Sequence, residues 1–259
     1  MPGSIRHAID GPIATVTIAN PGKLNAVDLG MWQQLEATLT ALSRNDELRC
    51  VILRGEGNDA FAAGGDLEEF LTARNTVDRA MFYHRCVGKA LSAIGDCPIP
   101  TVALIHGACI GGGLEIAGQC DLRIAADGAR FGAPINRVGF SMYPEEMAGL
   151  LQLAGPAVVL EILLEGRILS AAEALQKGLL SRIVADALLD DEVAAAARRI
   201  ADGAPLVARW HKQWVRRLQR GAPLTAGELR DSFAFLASED YQEGLAAFLE
   251  KRKPAFKGR

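Results

Sequence analysis

The chain has 259 residues, of which 49% are hydrophobic and 23% charged, with a formal net charge of −3. That apolar content fills one large core or two small ones and excludes a disordered chain, a disulfide miniprotein and a collagen-like polymer. A pI near 5.9 argues against a nucleic-acid partner held by phosphate neutralisation, and no run of about 18 uncharged apolar residues predicts a membrane span.

Met1 to Asp10 lacks the apolar stretch of a signal peptide. Ile5–Ile9 and Ile13–Ala19 flank Asp10-Gly11, which predicts a hairpin. Asp28 reads as an N-cap, and Leu29, Trp32, Leu35, Leu39 and Leu42 recur at helical spacing, so a helix runs to about Arg44. Cys50–Leu53 is a short buried strand, followed by the glycine loop Ala62–Asp66.

A helical region spans Thr76 to Ile94 and ends at Pro98 and Pro100. Thr101–Ile105 is a second buried strand, leading through His106-Gly107 to the triplet Gly111-Gly112-Gly113 and a helix over Leu114–Gln119. Leu122–Ala125 returns to strand. Ser170-Ala171-Ala172-Glu173 is a capping box with Gly178 just past its helix, and Leu180–Val184 is a last strand. From about Ala187 the pattern is helical, broken at residues 203–205 and 221–223.

This order predicts an α/β core over residues 1–185 and a helical C-terminal extension over 186–259, without a flexible linker. Cys50, Cys86, Cys97, Cys109 and Cys120 are odd in number and sit mostly in apolar contexts, as reduced core residues of a cytoplasmic protein do.

The glycine triplet at a helix start is the sharpest local feature. Free peptide N–H groups there suit an anion or a developing oxyanion, although a tight turn needing small residues has the same composition. Gly113 and Gly118 have phosphate-loop spacing, but Gln119-Cys120 replaces the required Lys-Ser/Thr, and no Gly-x-Gly-x-x-Gly follows a strand. His106, Cys109 and Cys120 lack zinc spacing, so no metal is expected. The loop Gly64-Gly65-Asp66 offers a second set of N–H donors, with Asp66 as a possible N-cap. Acyl-transfer and enolate chemistry need two donors aimed at one carbonyl oxygen.

Asn25-Ala26, the run Phe61–Leu67, the run from His106-Gly107 through Gly111-Gly112-Gly113-Leu114-Glu115, and the ending Asp240–Gly244 to Phe256 occur in order and at family spacing. Together they resemble the crotonase superfamily, the enoyl-CoA hydratase/isomerase family, over essentially the whole chain. The resemblance implies a ClpP/crotonase-type spiral of ββα units with a C-terminal helical trimerisation region, in a homotrimer or a dimer of trimers. It also implies an acyl-coenzyme A thioester as substrate and no covalently bound cofactor.

By position, the backbone N–H groups of Gly65 and Gly112 would hold the thioester oxygen. Glu115, two residues past the triplet, would be the acid/base. The second glutamate of hydratase relatives falls at Ile135, which cannot transfer a proton. Tyr143, in a loop where some relatives place a functional aspartate, is a candidate replacement, as are Glu145 and Glu146. The sequence Pro144-Glu145-Glu146 is also ordinary helix-start chemistry. Lys23, Ala26, Ala63 and Gly65 would flank the coenzyme, and Phe248 and Lys251 would meet the coenzyme of a neighbouring subunit.

These residues imply hydration of a 2-enoyl-CoA. The competing readings are another enolate reaction, isomerisation or decarboxylation of an unusual acyl-CoA, and an acyl-CoA binding protein without catalysis.

Overall fold

The computed structural model describes residues 3–259; Met1 and Pro2, at the start of the Met1–Asp10 segment, lie outside it. The elements in order are β1 (Ser4–Asp10), β2 (Ile13–Ala19), α1 (Leu29–Leu42), β3 (Cys50–Gly55), β4 (Ala60–Ala62), α2 (Leu67–Ala73), α3 (Val77–Gly95), β5 (Thr101–Ile105), β6 (Ala108–Ile110) and α4 (Gly112–Gln119). They continue as β7 (Leu122–Ala126), β8 (Arg130–Gly132), α5 (Pro144–Glu165), β9 (Leu169–Ser170), α6 (Ala171–Gln176), β10 (Arg182–Val184), α7 (Leu189–Ala201), α8 (Pro205–Gln219), α9 (Ala226–Asp231) and α10 (Glu239–Leu249).

Two sheets organise the core. The larger has the order β1-β2-β3-β5-β7-β10, antiparallel only at the β1–β2 hairpin. The smaller has the order β4-β6-β8-β9. Three times in succession a strand of the large sheet is followed by a strand of the small sheet and then a helix: β3-β4-α2, β5-β6-α4 and β7-β8-α5. This is the expected spiral of ββα units.

Strand alternation explains why the central strands are apolar throughout. Val51, Leu53, Ala103, Ile105 and Ala125 join the cluster that includes Trp32, Leu35 and Leu39 of α1 and Val87 and Leu91 of α3. Cys50, Ile52, Val102, Leu104, Ile124 and Ala126 face the other way and pack with Leu189, Val193, Ala196 and Ala197 of α7. A parallel sheet buried on both faces needs both sets. Thus α7, assigned from sequence to the extension, closes one face of the large sheet. The buried His106 ring fixes it there, with Nδ1 2.9 Å from Asp186 and Nε2 3.0 Å from Asp190. All five cysteines are buried and free.

The small sheet is where sequence periodicity fails, since its strands have two or three residues. α5 is the described helix long and apolar enough to cross a membrane by length and composition. However, Gly155 at φ 76°, ψ 169°, followed by Pro156, breaks it. Each half, about eleven residues at ~1.5 Å each, reaches ~16 Å, about half of a ~30 Å hydrocarbon core.

Candidate active site

The ββα repeat brings equivalent loops together. β4 and β6 pair in parallel, so the loops that leave them for α2 and α4 are neighbours. A Cβ built on Gly112 would lie 3.6 Å from the Gly64 carbonyl carbon, which measures the closeness of the two backbones.

The first loop is held from behind. The Val27 N–H donates to the Gly64 carbonyl at 2.8 Å, and the Asp66 N–H donates to the Val27 carbonyl at 3.1 Å. In such a bridge the intervening residue points its peptide groups the other way, so the Gly65 N–H faces away from Val27. The Asn25 side chain secures the same region: its amide donates to the carbonyls of Glu56 and Ala60 at 3.0 and 2.8 Å. Asp66 caps α2 by accepting from the Glu68 N–H.

In the second loop Gly111 adopts φ 50°, ψ −116°, a conformation that suits glycine. Gly112 is the first residue of α4, so its N–H has no intrahelical acceptor. Gly113 must lack a side chain, because a Cβ would sit 2.2 Å from the Ala62 carbonyl oxygen. Neither the Gly65 nor the Gly112 N–H donates to an acceptor among the described residues.

Both glycines line one cavity of about 140 Å³, close to the ~150 Å³ that takes up a benzene ring in an apolar core. Glu115, in the first turn of α4, also lines it. Burial, reinforced by the nearby Glu146 charge and opposed by Arg74, pushes the Glu115 carboxyl well above the usual carboxylate range. Ile135, the position to which the sequence resemblance assigns a second glutamate, lines the cavity as well.

A second carboxylate nevertheless enters. Glu146, in the first turn of α5, lines the cavity and is buried. Its Oε1 lies 2.5 Å from Nδ1 of His84, a buried residue of α3 that also lines the wall. Tyr143 sits differently from the sequence expectation. It is the N-cap of α5 and lies outside the cavity lining; its ring stacks on His84 at 4.6 Å and its hydroxyl points to Met81 Sδ. Three residues of helix carry the chain from that outer position to Glu146. Glu145 also lies outside the lining.

One wall of the cavity is aromatic. Phe70 meets Tyr83 and Phe140 edge-on at 5.4 and 5.9 Å, and the Trp32 indole N–H donates to the Tyr83 hydroxyl at 3.2 Å. Burial pushes the Tyr83 phenol upward, so it stays neutral.

Of the predicted coenzyme contacts, Ala63 lines the cavity. Ala26 is buried beside it in the Lys23–Val27 turn. Lys23 is engaged by Asp66 at 2.7 Å and Glu68 at 2.8 Å; these bonds hold its ammonium above the usual lysine range. Phe248 is 81% exposed at the end of α10, and Lys251 follows in the exposed tail; neither lines this cavity in the single chain.

Sequence reasoning did not single out His84, Arg74, Trp32, Tyr83 or Phe70 as site residues. Their only local signal is placement on amphipathic helices, which core residues share.

With this geometry, comparison with known proteins is informative. The family profile described as enoyl-CoA hydratase/isomerase matches residues 8–259. A probable enoyl-CoA hydratase of Bacillus subtilis is 34% identical, over 98% of this chain and 99% of its own. The human mitochondrial enoyl-CoA hydratase domain-containing protein 3 is 33% identical, over 98% and 83%. A crystal structure of an enoyl-CoA hydratase/carnithine racemase from Magnetospirillum magneticum superposes with a TM-score of 0.97 at 47% identity, covering 98% of this chain and 96% of that one. The chain belongs to the enoyl-CoA hydratase/isomerase family and has the crotonase fold.

Proposed function

We propose that the chain is an acyl-CoA enzyme that adds water to a 2-enoyl thioester. The observation that carries this reading is one cavity lined by Gly65, Gly112, Glu115 and Glu146. The N–H groups of Gly65 and Gly112 hold the thioester oxygen. Glu115 takes a proton from water as the water oxygen bonds to Cβ. The alkene electron pair moves onto the thioester oxygen, where the two fixed donors stabilise the enolate more than they stabilise the ground state. The Glu146 carboxyl, held by His84, then protonates Cα, the role that Ile135 cannot fill. Proton exchange between the two carboxyl groups and solvent resets the site.

In the same reading, Ala26, Ala63 and the Lys23 loop flank the coenzyme. Phe248 and Lys251 of one copy complete the coenzyme site of a neighbour in a homotrimer or a dimer of trimers. Their exposure supports this, because an isolated chain gives Phe248 nothing to cover it.

Loss of enoyl-thioester absorbance on adding purified protein to short 2-enoyl-CoAs tests the proposal. The expected result is turnover that falls by about 10²–10⁴-fold in Glu115→Gln, the range of general acid–base catalysis. Measurable acyl-CoA binding without turnover contradicts it and supports a binding protein. Turnover to a product other than the hydrated thioester supports another enolate reaction.

A further inference from the structure

Among the described residues, Arg74 contributes the only Lys or Arg side chain to the cavity lining. Its guanidinium carbon sits 4.1 Å above the Phe70 ring centroid, 4.8 Å from that of Phe140 and 5.5 Å from that of Tyr83. Aromatic contacts of this kind satisfy the face of a guanidinium and leave its N–H donors, which lie in the plane at the edge, without partners. Among the described residues Arg74 makes no ion pair and its side chain donates no hydrogen bond. That is unusual for a half-buried cation in a largely apolar wall, because burial removes water that nothing then replaces.

The cation's aromatic setting also fixes its place. Phe70 belongs to α2 and Phe140 to the loop before α5, and both line the cavity with Arg74 and Glu115. The positive field reaches the site, since Arg74 opposes the upward push on the Glu115 carboxyl. Glu146 is bonded to His84, and among the described residues neither Glu115 nor Glu146 pairs with the guanidinium. A planar fork of free donors matches the two oxygens of a carboxylate.

We infer that the acyl group accepted here is short and carries a carboxylate at its far end, which Arg74 binds through its free N–H edge. The small cavity sets the length: its volume is that of one six-carbon ring. The inference rests on the acyl-CoA reading above and adds the substrate class to it. The same anion-binding chemistry would suit a coenzyme phosphate, and the test separates the two sources.

Calorimetric titration with glutaryl-CoA, pentanoyl-CoA and free coenzyme A, all lacking the reactive double bond, reads binding independently of turnover. The expected result is that the wild-type protein binds glutaryl-CoA about tenfold or more tighter than pentanoyl-CoA. Arg74→Met erases that difference, and Arg74→Lys, which keeps the charge but not the fork, restores part of it. Equal or weaker binding of glutaryl-CoA by the wild type overturns the inference. So does an Arg74→Met protein in which all three ligands weaken in the same proportion, which assigns Arg74 to a coenzyme phosphate. Failure of every ligand to bind wild type overturns the acyl-CoA reading itself, a result distinct from loss of the glutaryl preference alone.

Discussion

Glu115 is a carboxyl group that folding makes harder to ionise. Burial raises it first, the Glu146 charge raises it further, and Arg74 only partly offsets them. Its folded-state value therefore lies above the unfolded one, near 4.5, and the folded state binds the extra proton. Stability should fall as pH rises from that value through the folded one. We predict that Glu115→Gln is more stable than wild type at pH 8, and that the two converge below about pH 4. Denaturant melts at both pH values check this, and a less stable variant at pH 8 contradicts it. Each kcal/mol relieved would raise the melting temperature by about 2–4 °C. The same displacement predicts that the acid limb of kcat/KM lies above the ordinary carboxylate range. Glu115 was legible in the sequence because it stands beside its glycines. The Glu146–His84 pair was not, since the two residues are 62 positions apart and meet only when α5 packs on α3.

The helix starts carry their own signals, and the sequence displayed them. Asp28 accepts from the Met31 N–H, Asp66 from Glu68, and the Ser170 capping box closes in both directions. The small sheet had no such marker, because two or three residues are too few to reveal a period of two. Its consequence appears in the glycines. A Cβ at Gly113 would meet the Ala62 carbonyl oxygen of β4 at 2.2 Å, and backbone cannot yield; at Gly118, on the same helix, it would meet only Leu150 Cδ2 at 3.2 Å. Gly113→Ala should cost about 1–3 kcal/mol by overpacking. Gly118→Ala should be near neutral or stabilising, because alanine gains up to ~1 kcal/mol in a helix interior. Thermal melts of the two variants check the order. In α5, Gly155 sits at φ 76°, ψ 169°, with open space around its Cβ direction. Gly155→Ala should therefore lose about 1–3 kcal/mol through backbone strain alone, and an unchanged melting temperature would contradict that cause.

At the scale of the whole molecule, the ββα spiral turns a repeat of secondary structure into a convergence of function. Gly65 follows the small-sheet strand of one unit, Gly112 and Glu115 that of the next, and Glu146 enters from the helix of the third. The alternation of strands and helices was enough to read the α/β class, and the ordered motifs were enough to read the family. Closure of the large sheet by α7 was not readable, since a helix pattern does not say which face it covers. Phe248 and Leu249, adjacent at the end of α10, are 81% and 78% exposed, which fits burial between copies. We predict a trimer, or a multiple of three, by sedimentation equilibrium. A monomer at micromolar concentration would contradict the proposed sharing of the coenzyme site.

The central claim is that Glu146, held by His84, moves a proton at Cα while two backbone N–H groups hold the enolate oxygen. Its most direct test is the exchange of Cα hydrogen for deuterium in butyryl-CoA, which has no double bond to hydrate, followed by proton NMR in heavy water. The account predicts exchange that depends on the wild-type protein and is abolished in Glu146→Gln while butyryl-CoA still binds. Exchange that persists undiminished in Glu146→Gln, or its absence from a wild-type protein that binds the thioester, would contradict it.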